Sequence, residues 1–292
     1  MLSIKKQKHA IVYYYWSNEC NKINENTSTP IILSIATLRK YNKSIKIYVL
    51  DCDEKTNWID FEKKYNFKVI RCEPIIFSWG IDKRITKFPY DKKDISADDH
   101  LISILASRHL DIFKFSANIE EEIIIHCDCD VFWLDNVLSL NKSGSKFTSF
   151  GNTGLFYFNK NSHQVSNYFD KYKETIDLAL SDFEYFTKIK EFHPCKNYRK
   201  MISDELVNYY LSSSTNLVEE LDESEHLTPS RLKKANAKIK YKMFHAVGLN
   251  KTSFIFDLYE TNELAKEIYC MNKNPKWNMK DVISKKSEIF NT

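Results

Sequence analysis

The chain predicts an α/β fold, a single domain with a mostly parallel central sheet flanked by helices. Short apolar runs at residues 10–16 (AIVYYYW), 45–50 (IKIYVL), 67–73 (FKVIRCE) and 123–127 (IIIHC) have the length of strands and are rich in β-branched and aromatic residues. Stretches with helical spacing separate them, which is the rhythm of parallel strands joined by crossover helices. Only 5 Gly and 6 Pro occur in 292 residues, so no low-complexity linker divides the chain, and no internal repeat is visible.

The elements follow in order. After the first strand comes a polar loop, residues 17–29. Pro30 then sits where a first helical turn tolerates it, and IILSIATLRKY continues with helical spacing. The second strand ends at Asp51-Cys52-Asp53, residues 57–65 read as a helix, and a third strand follows. Residues 74–93 are aromatic, basic and irregular, a long loop of the kind that forms lids or binding surfaces. A helix over 97–116 carries Arg108 and leads through Glu120–Glu122 into the strand 123–127. Residues 145–150 and 154–159 are strand-like and flank Gly151-Asn152-Thr153; residues 162–180 and 203–211 are helical, and 181–200 are mixed. HAVGLNK follows residues 241–244, and the polar tail after it has a weak helical signal.

Composition narrows the function classes. A net charge of +4 and a pI of about 8.5 fall short of the clustered field of a dedicated nucleic-acid binder. They suit an anionic small ligand or weak contact with an acidic membrane surface. No run approaches 18 apolar residues, so no transmembrane helix is expected. The start, MLSIKKQKHAIVYYYW, reads as a first strand rather than a signal peptide, because its apolar part is short and Tyr-rich. Seven cysteines without regular spacing predict reduced thiols, and hence a cytoplasmic protein.

The chemistry concentrates in IIIHCDCDVFW, residues 123–133. Side chains alternate across a strand, which puts Asp128 and Asp130 on one face and Cys127 and Cys129 on the other. The crevice beyond the carboxyl ends of parallel strands is where such sheets bind ligands. Two carboxylates there would attract a hard divalent cation with positions left for phosphate oxygens. Two other readings stay open: a soft metal held by Cys-x-Cys and His126, and plain solvated residues at a strand end. Against zinc, no second cysteine pair stands at ligand spacing. Asp51-Cys52-Asp53 illustrates that Asp-x-Asp also arises without a site.

Four stretches, in order, resemble the GT-A-type glycosyltransferases, and within them the family 8 group of glycogenin and the lipopolysaccharide galactosyltransferases. IIIHCDCDVFWLDNV resembles that group's Asp-x-Asp segment, and GNTGLFYFN resembles the Asn-x-Gly and strand that contact the donor sugar. SDELVNYYL is similar to the helix start that the family writes Asp-Gln-Asp-x-x-Asn, and HAVGLNK has its His-x-x-Gly-x-x-Lys spacing. The segment NTSTPIILSIATLRKY is similar to its first helix. The resemblance spans roughly residues 10–252. It implies a catalytic domain over 1–252, with a nucleotide-binding half at 1–135 and a sugar and acceptor half at 136–252, followed by a C-terminal extension at 253–292.

The resemblance also implies roles. Asp128, Asp130 and His245 would hold manganese, or magnesium, with Asp128 also reaching the nucleotide sugar. Manganese tolerates a mixed carboxylate and imidazole set better than magnesium does. Gly248 and Lys251 would meet the phosphates, Arg108 the diphosphate or donor sugar, and Asn152, Thr153 and Gly154 the sugar. Tyr14, Tyr15 and Trp16 would lie against the nucleobase, and Asp204 and Glu205 would act in catalysis. Plainer roles exist for each: His245 as a packed histidine, Lys251 as a surface lysine, Asn152 as a turn residue, Asp204 and Glu205 as first-turn acids behind a Ser203 cap, and the aromatics as core. The chain departs from the family pattern at Asp204-Glu205-Leu206, which lacks the Gln and the second Asp, and at His126 and Cys127.

The implied activity is metal-dependent transfer of a hexose from a nucleotide sugar, UDP-hexose foremost, to a glycan, protein or lipid acceptor, with retention. Two alternatives stand beside it. Haloacid-dehalogenase-like phosphatases also place Asp-x-Asp after a strand, but near the N-terminus and with Thr or Val where Phe132 stands. A non-catalytic module binding nucleotide sugars is the other.

Overall fold

The computed structural model describes residues 8–16, 28–52, 58–77, 99–133, 135–137, 144–149, 153–194, 202–221, 226–227 and 243–245. The order is β1 (His9–Tyr15), α1 (Ser28–Tyr41), β2 (Lys46–Asp51), α2 (Ile59–Tyr65), β3 (Lys68–Arg71), α3 (Asp99–Ser116), β4 (Ile123–Cys127), β5 (Val131–Trp133), β6 (Phe147–Ser149), β7 (Leu155–Asn159), α4 (His163–Ser181), α5 (Phe183–Lys190), α6 (Asp204–Ser214), β8 (Val218–Glu220), β9 (His226–Leu227) and β10 (Met243–His245).

Seven strands form the main sheet in the order β3-β2-β1-β4-β7-β6-β8. The first four are parallel; β7 runs antiparallel to both β4 and β6, and β8 is parallel to β6. All five residues of β4 are buried, as expected of a strand covered on both faces, which is why its apolar run does not alternate.

The alternation of β1 divides two cores. Ile11, Tyr13 and Tyr15 face one that α1 and α2 cover, joined there by Ile125 and Tyr157. Ala10, Val12 and Tyr14 face the other, built with α3, α4, α5 and α6. Helix α4 buries Val165, Tyr168, Phe169, Tyr172, Ile176 and Ala179, a helical stripe that brings its aromatic rings onto the sheet. Helix α5 falls in the stretch that the sequence leaves mixed. Asp182 caps it, its side chain accepting from the backbone N–H of Glu184 and Tyr185, and this Asp before an eight-residue amphipathic run was the available signal.

A second, three-stranded sheet has the order β5-β10-β9. Strand β10 pairs antiparallel with β5 and sets His245 opposite Val131. Helix α1 anchors β5: Ser34 Oγ donates to the Val131 carbonyl, and Thr37 Oγ1 accepts from Trp133 N at 3.0 Å. Strands of three residues or fewer carry too little periodicity to read from sequence, and this small sheet decides where His245 lies.

Candidate active site

The strand order reverses between β1 and β4: β2 and β3 lie beyond β1 on one side, β4 on the other. The crevice at the carboxyl ends of these strands is the ligand position of open α/β sheets. At this edge β4 ends at Cys127, and the chain turns, Val131 N donating to the Asp128 carbonyl at 3.1 Å. Asp128 and Asp130 are therefore brought together by a turn and not by strand alternation, which corrects the sequence expectation. The thiols do lie on the core side: Cys127 is fully buried and Cys129 is half-buried against the same core.

Asp128, Asp130 and His245 offer ligand atoms that all lie within 4.8 Å of one another. Nε2 of His245 is 3.4 Å from Asp130 Oδ1 and 3.7 Å from Asp128 Oδ2. Neighbouring ligands of an octahedral ion bound at about 2.1 Å stand roughly 3 Å apart, so the three donors need only close slightly around one divalent cation. Two carboxylates and an imidazole fit manganese in donor type. Among the described residues no other group of His, Cys, Asp and Glu gathers in this way, and the group contains no thiol.

Gly154 makes this convergence possible. A Cβ at its position would stand 1.9 Å from His245 Cε1 and 2.5 Å from Nδ1, so any other residue would push the imidazole out. Its carbonyl accepts from Asp128 N at 2.8 Å, tying the acid turn to β7. Thr153, before it, has φ of 53°, a left-handed conformation that is costly for a β-branched residue.

Behind the acids stands a buried ion cluster. Arg108 of α3 donates to Asp128 and to Asp204, with Nε 2.6 Å from Asp204 Oδ2, and its Nη2 donates to Thr153 Oγ1 at 3.0 Å. The guanidinium of Arg108, expected to brace the donor, bonds two carboxylates and a hydroxyl of the protein. Burial works against charge on Asp128, but Arg108, with His126 and His245, outweighs it and holds its carboxyl well below the usual range. Asp204 goes the other way: burial raises it, and the Asp128 charge adds to that against the pull of Arg108. The same two acids push Arg108 upward despite burial, so it stays charged.

Two fully buried histidines back the cluster; the sequence offered His126 only as part of a thiol-metal reading and gave no signal for His109. His126 Nδ1 donates to the Val12 carbonyl at 2.9 Å while Nε2 lies 3.4 Å from Asp128 Oδ1. His109 Nε2 lies 3.5 Å from Asp204 Oδ2, and its ring packs on Phe156 at 4.4 Å. Burial lowers the pKa of both.

The aromatic expectations are redistributed. Tyr14 and Tyr15 are 7% and 1% exposed, their rings in opposite cores, and the Tyr14 hydroxyl donates to Asp111 at 2.9 Å. Trp16, which follows the strand, is half-buried. Asp51 is buried too, accepting from Trp58 Nε1 at 2.8 Å and pairing with Arg71 at 2.5 Å, so the second Asp-x-Asp begins with a structural acid. Glu205 is partly exposed beside Asp204, and Ser203 caps α6 through Leu206 N at 3.3 Å, so the capping reading of this helix start also applies. Asn152, Gly248 and Lys251, residues 78–93 of the expected loop and the extension 253–292 lie outside the described residues.

No protein-family model matches the chain, and no curated protein matches it in sequence. Solved structures match in fold. Galactosyltransferase LgtC in complex with donor and acceptor sugar analogues aligns over 88% of this chain and 95% of its own, with a TM-score of 0.51 and 12% identity. An active-site mutant of LgtC aligns over 89% and 94%, with a TM-score of 0.50 and 14% identity. The bifunctional glycosyltransferase WbbM, in its apo form, aligns over 92% of this chain and 52% of its own at a TM-score of 0.50 and 12% identity. The fold is accordingly of the GT-A glycosyltransferase type, a mixed seven-stranded sheet flanked by helices. Among the described residues no helix is long and apolar enough to cross a membrane.

Proposed function

We propose that the protein is a metal-dependent glycosyltransferase that moves a hexose from a nucleotide sugar, UDP-hexose foremost, to an acceptor, with retention at the sugar carbon. The observation that carries this reading is the convergence of Asp128, Asp130 and His245 at the carboxyl edge of a GT-A-type sheet. The fold likeness to a galactosyltransferase solved with donor and acceptor analogues supports it. Retention rests on the family 8 resemblance at His245, Gly248 and Lys251.

In this reading Asp128, Asp130 and His245 hold manganese, which when bound offsets the negative charge that develops on the departing diphosphate. Arg108 fixes Asp128 from behind through Oδ1, so its other oxygen is presented without reorganisation. Gly154 supplies the space for the His245 ring, and Gly248 and Lys251 are proposed to meet the phosphates. Glu205 is proposed to border the sugar and acceptor, whereas Thr153 is fully buried and bonds Arg108 and Asp204. A phosphatase reading fits less well, because the solved structures that share this fold are glycosyltransferases.

Incubation with a panel of UDP-sugars, with manganese and with EDTA, tests the reading. It expects UDP release from at least one sugar that depends on the metal. Phosphate release from simple phosphomonoesters would support the phosphatase instead, and binding of UDP-sugar without turnover would leave a binding module.

A further inference from the structure

Asp204 and Glu205 open α6 side by side in opposite circumstances. Asp204 has a side chain only 3% exposed. Its Oδ2 accepts from Arg108 and lies 3.3 Å from Thr153 Oγ1, and its Oδ1 accepts from Glu205 N at 2.9 Å. To receive a substrate hydroxyl, this acid would have to give up a charge-assisted partner inside a buried cluster, which is costly. Glu205 is 19% exposed and reachable, and its Oε1 lies 3.4 Å from Nε2 of His193.

His193 is itself held. It follows α5, its backbone N–H donating to the Lys190 carbonyl at 3.3 Å. Its ring is 2% exposed and meets Tyr209 of α6 edge-on, with centroids 5.0 Å apart. The end of α5 and the first turns of α6 thereby clamp an imidazole whose Nε2 lies within 3.4 Å of the Glu205 carboxylate. Arg108 ties the same first turn of α6 to Asp128, so Glu205 stands one residue from the cluster that backs the metal-ligand group.

We propose that His193 is a positioning residue that orients the Glu205 carboxylate toward the acceptor hydroxyl of glycosyl transfer, so that Glu205 and not Asp204 is the acid that meets the substrate. The proposal rests on the glycosyltransferase reading above. A long glutamate side chain loses rotamer freedom whenever it holds one geometry, and a fixed neighbour removes that cost from the step that needs it. The acceptor hydroxyl donates its hydrogen bond to the oxygen of Glu205 that His193 leaves open.

Two substitutions separate the nitrogen of His193 from its ring. His193→Gln keeps a nitrogen donor near the position of Nε2 and loses the ring; His193→Phe keeps the packing on Tyr209 and loses the nitrogen. UDP release from UDP-galactose and UDP-glucose is measured with manganese, and binding of UDP with manganese is followed by calorimetry. The expected result is unchanged UDP binding in both variants, a loss in kcat of about 10- to 100-fold in His193→Phe at constant donor KM, and recovery of most of it in His193→Gln. In a Glu205→Gln background, His193→Phe should then add little. Wild-type kcat in His193→Phe, equal losses in both variants, or full additivity with Glu205→Gln would overturn the proposal. A wild-type protein that neither binds UDP with manganese nor releases it would instead bring down the parent reading, and this one with it.

Discussion

Asp128 belongs to two clusters of charge that are balanced in different ways. On its inner side the cation is part of the protein: Arg108 stands between Asp128 and Asp204, with Thr153 completing its hydrogen bonds. On its outer side, Asp128, Asp130 and His245 point donor atoms at a common centre. The inner cluster is built to stay as it is, and its worth is structural, since a buried ion pair broken on one side leaves an uncompensated charge. The outer cluster is arranged to be completed from solution. The difference teaches which residues of a crowded acidic site to expect in contact with substrate: those whose donor atoms converge on a common centre and not on a cation of the protein.

Substitutions that treat the two clusters separately break or sharpen this contrast. The largest effect is expected from Asp130→Ala or His245→Ala, with manganese-dependent UDP release falling on the order of a hundredfold to a thousandfold while urea unfolding changes little. Normal turnover in Asp130→Ala would remove the outer cluster from the mechanism. Arg108→Met should do the reverse in the first instance, lowering stability by about 3–5 kcal/mol in urea denaturation, because two buried acids lose their shared cation. If it unfolds at the wild-type midpoint, the inner cluster is not holding the fold. Gly154→Ala lies between them: its Cβ would collide with His245, so metal affinity should fall with a stability cost of about 1–3 kcal/mol from overpacking. Manganese titration of that variant reads the first and thermal unfolding the second.

The smallest effect is a pH dependence. Burial lowers the pKa of His109, so the unfolded chain binds a proton that the folded one refuses. Stability contributed this way is present above the ordinary histidine pKa of about 6.5 and is lost as pH falls below it, by up to roughly 1.4 kcal/mol per pH unit. His109→Phe should flatten the decline between pH 6.5 and pH 5.5, measured as unfolding free energy at each pH. A slope unchanged by the substitution would place the titrating group elsewhere.

The sequence made some of this legible and hid the rest for identifiable reasons. Strand β4 and helix α3 were readable because an all-apolar run and a long helical pattern each have one plausible packing. The acid pair was readable because carboxylates at the end of a buried strand need a purpose. The manner of their meeting was not: a turn and a continued strand both bring Asp128 and Asp130 together, and only the hydrogen bond from Val131 N to Asp128 distinguishes them. Arg108 was legible as a site residue but its pairing with Asp204 was not, because Asp204 is 96 positions away and nothing local announces it. Tyr14 and Tyr15 end a strand near the crevice, yet burial on both faces draws their rings into the cores. His193, before Pro194, gave no signal, since its neighbour Glu205 reaches it only through the packing of α5 on α6.

Manganese binding in the presence of UDP, followed by loss of the free-ion paramagnetic resonance signal, tests the central claim most directly. The account predicts one manganese ion bound per wild-type chain and none, at the same concentrations, in Asp130→Ala or His245→Ala. One ion bound equally by all three proteins would contradict it.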